Sequence, residues 1–81
     1  MNKKKDKLLK DVISLVKKYI KGKNITQNQN LIDSGLLDSL ALAELIFEIE
    51  EKYKFKMSTK EFNALNFKTI NNIFKFINKK I

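Results

Sequence analysis

The fold is decided by residues 35–53, which read Gly-Leu-Leu-Asp-Ser-Leu-Ala-Leu-Ala-Glu-Leu-Ile-Phe-Glu-Ile-Glu-Glu-Lys-Tyr. From Ser39 to Tyr53 the apolar residues recur at three- and four-residue steps, which predicts an amphipathic helix. Asp38 is its expected N-cap, because a short carboxylate can accept a hydrogen bond from the free N–H groups of the first turn. A helical projection groups the core-facing side chains in one stripe, namely Leu42, Leu45, Ile46, Ile49 and Tyr53.

The opposite side of this predicted helix combines carboxylates with two large apolar side chains. We call this surface the acidic face, and it comprises Leu40, Glu44, Phe47, Glu48 and Glu51. The projection turns these residues toward water. An alternative for Phe47 is that the helix is slightly rotated and that this side chain belongs to the core.

Upstream of this helix, the sequence predicts another helix and a long loop. Apolar residues keep the helical step between Lys3 and Lys21, and Gly22 is placed to stop that helix. Residues 23–37 have no helical period, so we expect a loop, whose apolar second half indicates that it is held against the core. The apolar positions of the first helix are Leu8, Leu9, Val12, Ile13, Val16, Tyr19 and Ile20.

Downstream, two further helices are expected. Ser58 and Glu61 form a capping-box pattern, which predicts a short helix from Thr59 to about Leu65. Thr69 is expected to cap a last helix with apolar residues at helical spacing. The chain is therefore predicted to be all-α, a small four-helix bundle with three longer helices and a short third one, in a single domain over residues 1–81. The apolar positions of the last helix are Ile70, Ile73, Phe74, Ile77 and Ile81.

Composition excludes several kinds of chemistry. The 81 residues include no Cys and no His, so disulfides, thiolate nucleophiles, Cys/His metal sites and His-based catalysis are ruled out. A serine nucleophile would need an activating base, and none is evident, so we expect a protein that is not an enzyme. The basic start is interrupted by Asp6 before an apolar signal segment can form, and no apolar run is long enough for a membrane span. We therefore expect a cytoplasmic protein.

Charge is distributed unevenly along the chain, whose net charge is +8. Residues 1–30 carry nine Lys and two Asp, or +7, and residues 52–81 carry eight Lys and one Glu, again +7. Residues 31–51 carry six acids and no Lys, or −6. All 17 basic residues are Lys, whereas bidentate recognition of phosphates and bases favours Arg. A small basic helical nucleic-acid-binding protein therefore remains an alternative but is not the leading interpretation.

Ser39 is the candidate site for a covalent group. It falls in the first turn of the predicted helix, where free N–H groups and the helix dipole stabilise a negative group by about 0.3–1 kcal/mol. A hydroxyl at this position is well placed to carry a phosphodiester. The alternative is that Asp38 and Ser39 only cap the helix. Ser34 is a weaker candidate, because no amphipathic helix follows it directly.

These residues carry a resemblance to a known family. Residues 35–40, followed by Glu44-Leu45 and the acidic run at 48–51, resemble the acyl carrier protein family. The resemblance implies that Ser39, next to Asp38, receives 4′-phosphopantetheine from coenzyme A, and that the thiol of this arm holds an acyl or aminoacyl group as a thioester. It also implies that partner enzymes contact the acidic face. Those partners would be a phosphopantetheinyl transferase, an activating ligase and acyltransferases or synthases, acting on a monomeric carrier without a nucleic-acid partner.

A more local resemblance concerns the cargo. Glu61-Phe62 and residues 67–73, Phe-Lys-Thr-Ile-Asn-Asn-Ile, are similar to D-alanyl carrier proteins, which load D-alanine for transfer to teichoic acids. In place of the proline and tryptophan of that pattern, the chain has Ile70 and a phenylalanine. The expected function is that of an acyl carrier protein, with a D-alanyl carrier as the alternative within the same family. A plain interaction domain, with an unmodified Ser39, also remains open.

Overall fold

A computed structural model of the chain describes residues 3–20 and 24–81. Within these ranges it contains three α-helices, one 3-10 helix and no β-strand, which confirms the predicted all-α class. The predicted helix stop at Gly22 lies outside the described residues, as does Lys21. The elements are α1 (Lys3–Tyr19), α2 (Ser39–Tyr53), the 3-10 helix (Ala64–Phe67) and α3 (Ile70–Lys80).

The short third helix is the point at which the structure differs from the prediction. The predicted capping box does form, since the Ser58 N–H donates to Glu61 Oε1 at 2.9 Å and the Glu61 N–H donates to Ser58 Oγ at 3.3 Å. No α-helix follows it, because Asn63 is extended (φ −133°, ψ 160°) and its side chain accepts from the Asn66 N–H. The chain therefore restarts at Asn63 as a single 3-10 helix, and the predicted fourth α-helix is absent from the described residues.

The core is formed by one apolar stripe from each α-helix and by the loop between α1 and α2. From α2 it takes Leu45, Ile46 and Ile49, while Leu42 and Tyr53 of the predicted stripe are only partly buried. Ile81, predicted to continue the stripe of α3, is 63% exposed because the helix ends at Lys80. Besides Leu31 and Leu37 of the loop, the buried side chains outside the predicted stripes are Leu15, Phe67 and Phe76.

The loop between α1 and α2 is anchored to the start of α3. Leu31 and Leu37 are buried, and the Leu37 N–H donates to the Leu31 carbonyl at 2.9 Å. The Leu31 N–H donates to the Lys68 carbonyl at 2.7 Å, and the Asn71 N–H donates to the Gln27 carbonyl at 3.0 Å. This pairing satisfies buried backbone groups that would otherwise destabilise a long connection. The loop thus reaches α2 along a fixed path.

A polar clamp joins the end of α1 to the middle of α2. The Lys18 ammonium lies 3.0 Å from both carboxylate oxygens of Glu48, and the Tyr19 hydroxyl donates to Glu48 Oε1. The hydrogen bond from Tyr19, followed by the one from Lys18, lowers the pKa of Glu48 below its ordinary value of 4.5. We call Lys18, Tyr19 and Glu48 the α1–α2 clamp.

The clamp is expected to make part of the stability dependent on pH. Because folding lowers the pKa of Glu48, its contribution is present above about pH 4.5 and is lost as the pH falls through the lowered pKa. The substitution Glu48→Gln should therefore reduce the Tm at neutral pH. The difference from the parent protein should shrink as the solution is acidified, which thermal unfolding followed by circular dichroism would measure.

Glu51→Gln is the matched control, since Glu51 is exposed on the same helix and has no ion pair within residues 3–20 and 24–81. Its Tm profile should run close to that of the parent at every pH. If the Tm difference between Glu48→Gln and the parent stayed constant down to low pH, the result would contradict a stabilising role of the Glu48 charge.

Candidate functional site

The chain enters α2 through a tight, hydrogen-bonded turn. The Asn30 side-chain oxygen accepts from the N–H groups of Ile32 and Asp33 at 3.0 and 2.8 Å, and its amide nitrogen donates to Asp33 at 2.9 Å. The Gly35 N–H then donates to the Ile32 carbonyl at 3.1 Å. Gly35 has a φ of +79°, a left-handed conformation that other residues adopt only with strain. This turn directs Leu37 into the core and leaves the next residues at the surface.

Asp38 caps α2 as the sequence predicts. Its backbone is extended (φ −81°, ψ 176°), and its Oδ1 accepts from the Ala41 N–H at 2.8 Å. The first helical hydrogen bond follows at once, from the Leu42 N–H to the Asp38 carbonyl at 2.8 Å. The capping side chain satisfies one of the four N–H groups that lack an intrahelical partner at a helix start. Asp38 therefore fixes the orientation of the first turn.

Ser39 is the first residue of α2 and is exposed. Its hydroxyl makes no hydrogen bond with the part of the chain that the structure describes, so it does not contribute to the cap. The remaining free N–H groups of the helix start lie beside it, where they favour a negative group. An accessible, unengaged hydroxyl in this position fits the attachment of a phosphodiester. Within residues 3–20 and 24–81, no carboxylate or amine is hydrogen-bonded to the Ser39 hydroxyl to act as its base.

The acidic face lies on the exposed side of α2. Leu40 is 71% exposed and Phe47 is 63% exposed, so Phe47 is not a core residue on a rotated helix. Glu44 and Glu51 are exposed as well, whereas Glu48 is partly buried in the α1–α2 clamp. Of the five predicted residues, four are therefore directly accessible, and the carboxylate of Glu48 is already engaged within the chain.

A groove of about 450 Å³ runs along the acidic face. The ring of Tyr19, which the sequence pattern assigns to the core stripe of the first helix, lines this groove from α1. Helical spacing alone could not reveal this, because it depends on how α1 packs against α2. The other lining residues are Ala43, Glu44, Phe47, Glu48 and Glu51.

Residues 67–73 hold the loop, the 3-10 helix and α3 together. Thr69 caps α3 by accepting from the Asn72 N–H at 3.0 Å, and the Asn72 side chain donates to the Leu65 carbonyl at 2.9 Å. The Asn71 side chain donates to Asn28 Oδ1 at 2.6 Å, next to the backbone pairing of the loop. The Thr-x-Asn-Asn pattern therefore positions the loop that leads to Ser39 and does not itself form a reactive site.

Residues 3–20 and 24–81 offer neither a carboxylate cluster for a metal ion nor a helix suited to crossing a membrane. No cluster of three or more carboxylates in these ranges could hold a metal ion. Nor does any helix described there combine the length and the apolar character needed to cross a membrane.

Comparisons with known proteins agree on one family. A family model described as "Phosphopantetheine attachment site" matches residues 7–77, which is most of the chain. Its members are carrier domains and not catalytic domains.

Individual relatives are D-alanyl carrier proteins. The chain is 36% identical over 55 residues to the one from Listeria welshimeri, covering 65% of this chain and 70% of that protein. It is 38% identical over 47 residues to the one from Streptococcus uberis, covering 58% of this chain and 60% of the relative's length. The protein from Streptococcus equi subsp. zooepidemicus is 41% identical over 46 residues, covering 57% and 58% of the two chains.

The family match takes in all of α2 and its preceding loop, which expose Ser39 and the acidic face, and most of α1 and α3. The chain therefore belongs to the phosphopantetheine attachment site family, carries a covalently attached 4′-phosphopantetheine as that family does, and is similar to D-alanyl carrier proteins.

Proposed function

We propose that this chain is a D-alanyl carrier protein, a single carrier domain over residues 1–81 whose 4′-phosphopantetheine is attached to Ser39. The observation that carries the assignment to Ser39 is its exposed, unengaged hydroxyl at the first position of α2. The other serines are less suitable. Ser58 belongs to a capping box, Ser34 accepts from the Leu36 N–H within the loop, and Ser14 lies inside α1.

The chain's own residues would present the attachment point and would not perform chemistry. Asp38 holds the first turn of α2, and the free N–H groups of that turn stabilise the negative charge of a phosphodiester by about 0.3–1 kcal/mol. Ser39 supplies the hydroxyl oxygen, and the transferase supplies the base that accepts its proton. When bound, the arm contributes a thiol that carries the cargo as a thioester.

A small aminoacyl cargo is favoured over a long acyl chain by two observations. The matched relatives are D-alanyl carrier proteins, and Glu61, Thr69 and Asn72 of that resemblance make structural hydrogen bonds here. In addition, the core beneath α2 is filled by Leu45, Ile49, Ile73 and Ile77, all 0% exposed. A polar aminoacyl group can remain in water, whereas an acyl chain would have to displace such packing to be sheltered.

The acidic face is the proposed contact for the transferase and the activating ligase. Glu44 and Glu51 would steer a basic partner, and each exposed ion pair would contribute only about 0–1 kcal/mol. Phe47 and Leu40 would add apolar contact, worth up to roughly 1.5–3 kcal/mol for a side chain that becomes fully buried. Such a small number of contacts suits a carrier that is bound and released by several enzymes.

The attachment site is tested by intact-protein mass. The chain is incubated with coenzyme A, Mg²⁺ and a broad-specificity phosphopantetheinyl transferase. We expect the parent and Ser34→Ala to gain one phosphopantetheine each, and Ser39→Ala to gain none. Modification of a folded Ser39→Ala variant would contradict the assignment.

The cargo is tested on the modified protein. With ATP, D-alanine and a D-alanine-activating ligase, we expect one D-alanyl group per chain, released by hydroxylamine as a thioester would be. Palmitate with an acyl-activating synthetase is the comparison, and it should load poorly. Efficient loading with palmitate and none with D-alanine would indicate a general acyl carrier protein instead, while leaving the assignment of Ser39 intact.

The partner surface is tested by charge reversal. The double substitution Glu44→Lys with Glu51→Lys should lower kcat/KM of the transferase by up to about tenfold, mainly through KM, because two exposed attractions become repulsions. Asp6→Lys with Asp11→Lys makes the same change in net charge on α1 and is the control. Equal losses in both double variants would show that only the net charge matters and would count against the acidic face.

A further inference from the structure

A second surface lies between the 3-10 helix and α3, and it has the opposite character. A groove of about 350 Å³ runs there, lined by residues that include Leu65, Lys75 and Lys79. It shares no residue with the groove along the acidic face. We call Leu65, Lys75 and Lys79 of this groove, together with the exposed Phe62 three residues before Leu65 in the chain, the basic–apolar surface.

Its apolar side chains are exposed although the backbone that carries them is held firmly. Phe62 is 53% exposed and Leu65 is 70% exposed. The Leu65 carbonyl accepts from the Asn72 side chain at 2.9 Å, and Glu61, next to Phe62, is paired with Lys80 at 2.7 Å. Neighbouring exposed apolar residues on a fixed segment are typical of a surface that binds something.

The positive charges of Lys75 and Lys79 are available to a partner. Lys75 and Lys79 are four residues apart, so they lie on the same side of α3, and both are exposed. Neither has an ion pair within the described ranges 3–20 and 24–81. They belong to residues 52–81, which carry +7. The complementary partner is therefore anionic.

We propose that the basic–apolar surface binds an anionic lipid surface. Phe62 and Leu65 enter the headgroup region, while Lys75 and Lys79 approach the lipid phosphates, which is the pattern of a peripheral membrane contact. All 17 basic residues are Lys. A lysine ammonium is a compact point charge without the directional fork of arginine, which suits mobile headgroups better than a fixed acidic site.

The charge distribution also orients the chain at such a surface. Residues 31–51 carry −6 and are repelled by the lipids that attract the basic segments. The acidic face and Ser39 lie in this repelled segment, and the groove along the acidic face shares no lining residue with the groove between the 3-10 helix and α3. This inference rests on the charge and exposure of the chain and is independent of the proposed cargo.

The test uses the full chain and sedimentation with vesicles. We expect binding to vesicles of equimolar phosphatidylglycerol and phosphatidylcholine, weakening with added salt, and no binding to phosphatidylcholine alone. Lys75→Gln with Lys79→Gln should weaken binding roughly 25-fold, on the basis of about fivefold for each lysine near an anionic surface. Phe62→Ser with Leu65→Ser should weaken it as well, without lowering the Tm, because both side chains are exposed.

Lys10→Gln with Lys17→Gln is the matched control, since both lysines are exposed on α1 and neither lines the groove. It should change binding only a few-fold. The proposal is overturned if the anionic vesicles do not bind, or if the control weakens binding as much as the Lys75 and Lys79 pair. It is also overturned if Phe62→Ser with Leu65→Ser has no effect, or if an RNA oligonucleotide or a polyglutamate peptide binds through Lys75 and Lys79 while the vesicles do not.

Discussion

The fold and its site depend on the anchoring of the loop that precedes α2. Leu31 is fully buried and its N–H donates to the Lys68 carbonyl. The backbone N–H of Asn71 donates to the Gln27 carbonyl, and its side chain donates to Asn28. A free connection of this length would allow the start of α2 to vary in position and would leave buried polar groups without partners. Because the anchor joins the loop to α3, the position of Ser39 is determined by the whole bundle and not by α2 alone.

How far the sequence predicts the structure differs from element to element. The bounds of α2 and its cap at Asp38 follow from local information, since the apolar period and the capping residue agree. The structure after Ser58 does not follow from local information. The capping box forms, but the extended backbone of Asn63 prevents an α-helix from continuing after it. The sequence predicts that Ser39 and the five residues of the acidic face are exposed, and all of them are except Glu48, which is partly buried. The engagement of Glu48 by Tyr19 depends on helix packing, which no single-helix pattern contains.

The chain presents two different surfaces, each formed by different elements of the fold. The acidic face and its groove belong to α2 and the end of α1, and the basic–apolar surface belongs to the 3-10 helix and α3. The α1–α2 clamp sits at the boundary of the first, where it uses one carboxylate to hold two helices together. The same net charge of +8 is therefore compatible with a locally negative surface around the proposed attachment site.

Contacts within the chain determine which carboxylates of the acidic segment, residues 31–51, remain available to pair with other proteins. Of its six acids, Asp33 accepts from the Asn30 side chain, Asp38 caps α2, Glu48 binds Lys18 and Tyr19, and Glu50 accepts from the Met57 N–H at 2.8 Å. Glu44 and Glu51 are left without such contacts within residues 3–20 and 24–81. The segment keeps its formal charge of −6, but only Glu44 and Glu51 can form an ion pair with a partner without giving up a contact inside the chain.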